Sequence, residues 1–147
     1  MMRRLARRLA ADSSGSTAIE FAILAPVLFA ALIGVLQIGV AMQAYNSLRG
    51  IAGDTARHAV TSYQINTDPS ATVLESYGRG IATASPYGLA SDELTLRVTV
   101  AGTQRVTGAQ EFDLLLRYNV PTFLQIAGID AIPISYSRPI FVVANAS

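Results

Sequence analysis

The sequence predicts an α+β protein: a long N-terminal transmembrane and amphipathic helix, followed by a small antiparallel sheet of about three strands. Three observations predict it. An apolar block near the amino end is long enough to cross a bilayer. Small and apolar residues recur just after it at helical spacing. The last third alternates between apolar and polar residues.

The first element follows from length. No charged or amide side chain occurs from Phe21 to Leu36; Gln37 interrupts, and Ile38 to Met42 are again apolar. About 20 residues rising about 1.5 Å each span a hydrocarbon core of about 30 Å. A buried core helix of that length carries a polar stripe, and this block has none. We expect a transmembrane helix over residues 16–43.

The helix is expected to continue as an amphipathic extension over 44–63. Tyr45, Leu48, Ala52, Thr55 and Ala59 fall at alternating spacings of three and four, which places them on one face. Gly50 and Gly53 each weaken such a helix by about 1 kcal/mol relative to alanine. Their small size suits close approach by another element, and the plainest use of this face is to cover the protein's own sheet.

Residues 64–91 read as a connecting region rich in Ser, Thr, Gly and Pro, with room for a short helix from Ser70 to Ala84. The sheet is expected over 92–147. In "DELTLRVTV", Leu94, Leu96, Val98 and Val100 point one way. In "EFDLLLRYNV", Phe112, Leu114, Leu116, Tyr118 and Val120 share a face. "AGTQRVTGAQ" between them suits a hairpin. "IPISYSRPIFVV" supplies the third strand, and Pro133 and Pro139, which cannot donate to a ladder, favour an edge or a broken strand. Asp92, Glu93, Glu111 and Asp113 can meet across the hairpin, where alternation puts them on a wet face.

Charge sets the expected topology. Arg3, Arg4, Arg7 and Arg8 precede the apolar block, with Asp12 as the one acid among them. Positive flanks stay in the cytoplasm. The basic leader, residues 1–15, is therefore expected inside, and the body from about Tyr45 outside. A basic run can also mark a nucleic-acid patch, but beside a membrane helix it reads as a topology signal, and no nucleic-acid partner is expected. The chain has no cysteine, which excludes disulfides, thiolate chemistry and Cys-based metal sites.

One feature of the apolar block needs its own explanation. In "GSTAIEF", Glu20 stands at the mouth of the helix, five residues after Gly15. A charged side chain near a bilayer core costs about 2.5–3.5 kcal/mol on insertion scales, and a plain anchor has no use for it.

From Gly15 to Val60, "GSTAIEFAILAPVLFAALIGVLQIGVAMQAYNSLRGIAGDTARHAV", the chain resembles the TadE-like pseudopilins of tight-adherence (Flp-type) pilus systems. The pattern is a small residue (Gly15), a glutamate followed by an aromatic (Glu20, Phe21), an apolar helix interrupted by proline (Pro26), and an Ala-rich amphipathic run. Phe21 stands where pilins of these systems commonly carry tyrosine. The length exceeds that of a major pilin, so the resemblance implies a minor pseudopilin. It also implies that a prepilin peptidase cuts between Gly15 and Ser16 on the cytoplasmic side, leaving the apolar helix in place. The new amine of Ser16 would then pair with Glu20 of a neighbouring subunit, since either charge alone is costly in low dielectric and the pair is less so. Ala30 and Gly34, four apart, form a small step that can seat a neighbouring helix.

The implied partners are the peptidase, other pilin-like subunits and pilus assembly proteins, and the lipid bilayer. The implied location is the bacterial inner membrane, single-pass, with the amino end cytoplasmic and the C-terminal domain periplasmic or extracellular. No enzyme activity, cofactor or metal is expected. The one histidine, His58, stands beside Asp54 at helical spacing and reads as a solvated helix face. "GRG" at Gly78 to Gly80 lacks the Lys-Ser/Thr of a phosphate loop. The alternative function is an uncleaved, membrane-anchored extracytoplasmic binding module. A secreted form fits poorly, because the best small-x-small site, Gly39 to Ala41, lies inside the apolar run.

Overall fold

The computed structural model describes residues 14–65, 67–124 and 128–143. The basic leader, through residue 13, lies outside the described residues. Helix α1 runs from Ser14 to Gln64, helix α2 from Ala71 to Thr83, and strands β1, β2 and β3 over Leu94–Val100, Gln110–Pro121 and Ala131–Val142. The fold is α+β, with a long apolar N-terminal helix followed by a three-stranded antiparallel sheet of order β1-β2-β3. Two units are distinguished, Met1–Ile38 and Gly39–Ser147.

In the second unit the alternation read from the sequence sets the sheet's two faces. Leu96 pairs with Leu116, Val98 with Leu114 and Leu94 with Tyr118, all buried on one face. On β3 the same face carries Ile132, Ile134 and Tyr136, half-buried, and the buried Ile140 and Val142. The α1 residues Leu48, Ile51, Ala52 and Ala59 complete this core, together with Leu74 and Ala82 of α2. The helical spacing of small residues on α1 therefore serves the protein's own core. Tyr45 meets Tyr136 edge-on at 6.0 Å between ring centroids, and Tyr63 meets Phe112 at 6.3 Å.

Val100 departs from its expected side: it is 54% exposed. It lies one alternation beyond Val98, the position where α2 reaches the strand through Glu75. Proline does not break β3, which is continuous and forms one edge of the sheet, with Pro133 opposite Asn119 and Pro139 opposite Asp113.

Helix α2 is more ordered than a Ser/Thr/Gly/Pro-rich connection suggests. Ser70 caps it, its hydroxyl accepting from the Val73 N–H at 3.4 Å. Its buried stripe is Leu74, Gly78 and Ala82, at spacings of four. Glycine at 78 is required by packing: a Cβ there would lie 2.8 Å from Leu96 Cδ1 and 3.0 Å from Thr55 Oγ1. From the same helix, Glu75 accepts from the Val98 N–H at 3.2 Å, and Arg79 donates to the Leu96 carbonyl at 2.9 Å and to Glu75 at 3.1 Å. These side chains occupy the outer edge of β1, which would otherwise offer unpaired backbone groups to another strand.

Candidate membrane and assembly segment

The first unit contains the segment on which any membrane or assembly role depends. The described part of α1 begins at Ser14 and includes Gly15 and Ser16. Glu20 and Phe21 follow on the next turn, both exposed, Phe21 to 68%. Ile19, Ile23, Leu24, Val27, Leu28 and Val35 are exposed as well. An apolar helix with exposed side chains on every side is the inverse of a core helix and requires lipid or other helices around it. Among the described residues this is the one helix long and apolar enough to cross a membrane, compatible with single-pass anchoring.

Pro26 lies inside the helix without ending it. Its missing N–H removes one ladder bond, a loss that membrane helices tolerate. Ala30 is exposed, Gly34 is half-buried, and a Cβ at Gly34 would meet nothing within 4 Å. The small step is thus open space along the helix surface.

In the second unit, polar groups are used for structure in ways the sequence reading missed. Glu111 is 1% exposed, not on a wet face as alternation predicts. The hairpin loop folds over it. The Arg105 N–H donates to Glu111 Oε2 at 3.0 Å, Arg105 Nε donates to Oε1 at 2.6 Å, and Arg105 Nη2 contacts the same oxygen. Gln104 Oε1 accepts from the Glu111 N–H at 2.6 Å, and its Nε2 donates to the Ala101 carbonyl at 3.0 Å. The Arg105 guanidinium lies 5.4 Å from the Phe141 ring centroid. Hydrogen bonding from Arg105 holds the Glu111 carboxyl below its usual range, and the same bonds raise the Arg105 pKa. Arg105, six residues before Glu111, was the available signal, but loop closure over a strand residue is not encoded in alternation.

His58 and Asp54 also depart from the solvated face expected of them. His58 is half-buried and stacks on Tyr77, with ring centroids 3.9 Å apart and planes 11° from parallel. Asp54 accepts from the Tyr87 hydroxyl at 2.8 Å and lies 3.8 Å from Arg57. Burial, then the hydrogen bond to Asp54, raises the Tyr87 pKa. Each member of the pair thus serves to hold neighbouring chain against α1.

Comparison with known proteins falls on the membrane segment. The family model described as TadE-like protein matches residues 15–57. The match covers 43 of the chain's 147 residues, and over them the chain is similar to that family. The TadE-like match starts at Gly15, includes Glu20, Phe21, Pro26, Ala30 and Gly34, and ends at Arg57 on the part of α1 that packs in the core. It is consistent with a TadE-like protein of the tight-adherence (Tad/Flp) pilus system. No curated protein and no solved structure matches the chain.

Proposed function

We propose that this chain is a minor pseudopilin that takes part in assembling a tight-adherence (Flp-type) pilus or related secretion machinery. A prepilin peptidase matures it by cutting between Gly15 and Ser16. The observation that carries this reading is Glu20, an exposed carboxylate at the mouth of an apolar helix, within the TadE-like segment. The chain crosses the bacterial inner membrane once, with the basic leader on the cytoplasmic side and the residues beyond about Tyr45 on the periplasmic or extracellular side. The protein acts by assembly and has no enzyme activity.

Each step follows from cost. Glycine at the scissile position lets the peptidase approach the backbone, because no side chain intervenes. Cleavage creates an amine at Ser16 close to the bilayer border. When subunits pack helix against helix, that amine meets the Glu20 carboxylate of a neighbour, and each charge offsets the desolvation of the other. The pair fixes the stagger between helices, while Ala30 and Gly34 allow the backbones to approach. Phe21 supplies an aromatic contact beside the charge.

Glu20→Gln tests this mechanism because it keeps shape and hydrogen bonding and deletes the charge. The variant should still be cut at Gly15 and should still insert, since losing a charge lowers the insertion cost. It should fail to crosslink to other pilin-like subunits and should reduce surface pili. Normal crosslinking and normal pili would remove the charge-pairing mechanism. An uncut protein that binds an extracytoplasmic ligand would instead favour a membrane-anchored binding module.

A further inference from the structure

We propose that a cleft between α1, the end of β2 and the connection from α2 to β1 binds an uncharged phenol-type group. The inference is separate from pilus assembly and lies within the second unit alone. The cleft has a volume of about 230 Å³. An apolar cavity of about 150 Å³ holds benzene, so this one has room for a ring with a small substituent. It is below the range of about 300–1,000 Å³ that suits drug-sized ligands.

The lining sets the chemistry of the ligand. Val40, Ala44, Leu89 and Val120 give apolar walls, and Tyr87 and Tyr118 add aromatic surface. An aromatic ligand gains from such neighbours beyond the area it buries. No charged side chain lines the cleft, and a charge taken out of water without a partner is costly, which selects a neutral group. Polar capacity is left over. The Tyr87 hydroxyl is bonded to Asp54, but the side chains of Gln43, Ser47 and Tyr118 have no hydrogen-bond partner among the described residues. Tyr118 decides the case. It is only 7% exposed. Among the described residues, the fully occluded side-chain oxygen without a partner is Thr55 Oγ1. The Tyr118 hydroxyl, also without a partner, is therefore reached from outside, and the cleft is the opening that Tyr118 lines. A ligand hydroxyl both donates and accepts, so one such group serves Tyr118 and still has a bond for Gln43 or Ser47.

The test is a titration of the full chain in lipid nanodiscs, read by the amide ¹H–¹⁵N shifts of Ser47, Gly88 and Leu89, with Gly102 in the hairpin loop as the reference. The probes are p-cresol, toluene, which lacks only the hydroxyl, and p-toluate, which carries a charge. In the parent, p-cresol should give saturable shifts at the three cleft amides and none at Gly102. Toluene should bind about fivefold more weakly, the worth of one neutral hydrogen bond, and p-toluate should not bind. Tyr118→Phe should lower p-cresol to the affinity of toluene and leave toluene itself unchanged, which shows that the cleft is still folded. Shifts that rise linearly without saturation report partition into lipid and overturn the inference. So does equal binding of toluene and p-cresol in the parent, or p-cresol binding that Tyr118→Phe does not weaken. N-acetyl-tyrosinamide separates two sources of the same chemistry. If it binds as p-cresol does, the site is supported and admits a tyrosine side chain carried on another chain. If it does not bind while p-cresol does, the site is supported for free phenols.

Discussion

Two glycines three residues apart on α1 should respond oppositely to alanine. In an open helical position Gly→Ala stabilises by about 1 kcal/mol. A Cβ at Gly53 would meet nothing within 4 Å, so Gly53→Ala should gain about that amount. A Cβ at Gly50 would lie 2.5, 2.7 and 2.9 Å from Cε1, Oη and Cζ of Tyr87. Ordinary carbon contacts are about 3.5–4.0 Å, so the ring must retreat by about 1 Å. Retreat breaks the 2.8 Å bond from the Tyr87 hydroxyl to Asp54, worth about 1 kcal/mol at a half-exposed site. Overpacking adds about 1–3 kcal/mol. After the helical gain, Gly50→Ala should destabilise by about 1–3 kcal/mol. Urea unfolding of the detergent-solubilised full chain, followed by tyrosine near-UV circular dichroism, reads the difference as a change in midpoint with unchanged slope. In a Tyr87→Ala background the obstacle is gone, and Gly50→Ala should stabilise by about 1 kcal/mol. If Gly50→Ala stabilises the parent as much as Gly53→Ala does, the close approach of Tyr87 to α1 is wrong.

Other perturbations test the core, the orphaned hydroxyl and the hairpin clip. Leu96 is fully buried at the centre of β1, so Leu96→Ala should cost about 2–5 kcal/mol in the same urea assay. Thr55 Oγ1 is buried without a hydrogen-bond partner; Thr55→Val keeps the shape, removes the unsatisfied oxygen and should stabilise by about 1 kcal/mol. The folded-state pKa of Glu111 is depressed below its ordinary 4.5 by Arg105. The stability it contributes is therefore present above pH 4.5 and is lost as pH falls through the folded value. Against the intrinsic slowing of amide exchange in acid, the protection of the Arg105 and Glu111 amides should fall on acidification in that window. Arg105→Ala leaves the buried carboxyl with the backbone N–H but not the guanidinium against desolvation, so the loss of stability on acidification should shrink or reverse; an unchanged loss would place the titrating group elsewhere.

The strands were legible because burial on one side leaves a period of two, and Leu94 to Val98 and Phe112 to Val120 keep it without exception. The face of α1 from Tyr45 to Ala59 was legible for the same reason at helical period. Helix α2 was only half legible. Its Ser70 cap and its Leu74, Gly78, Ala82 stripe are present in the sequence, but the need for glycine at 78 is visible only once Leu96 is seen to occupy the space beside it. Glu111 and Asp54 were misread because their partners, Arg105 and Tyr87, arrive by loop closure and tertiary docking, which leave no periodic trace. In the membrane segment, Gly15, Glu20 and Pro26 stood out because each breaks a local rule: an exposed-backbone residue, a charge and a missing donor beside an apolar helix.

The central claim is maturation at Gly15. The full chain should be co-expressed with a cognate prepilin peptidase, extracted from membranes, and measured by intact mass with N-terminal sequencing. The account predicts a membrane-retained product beginning at Ser16, and no such product from Gly15→Leu, whose side chain crowds the scissile backbone. A chain that still begins at Met1 in the presence of active peptidase, or one cut after Ala41, would contradict it.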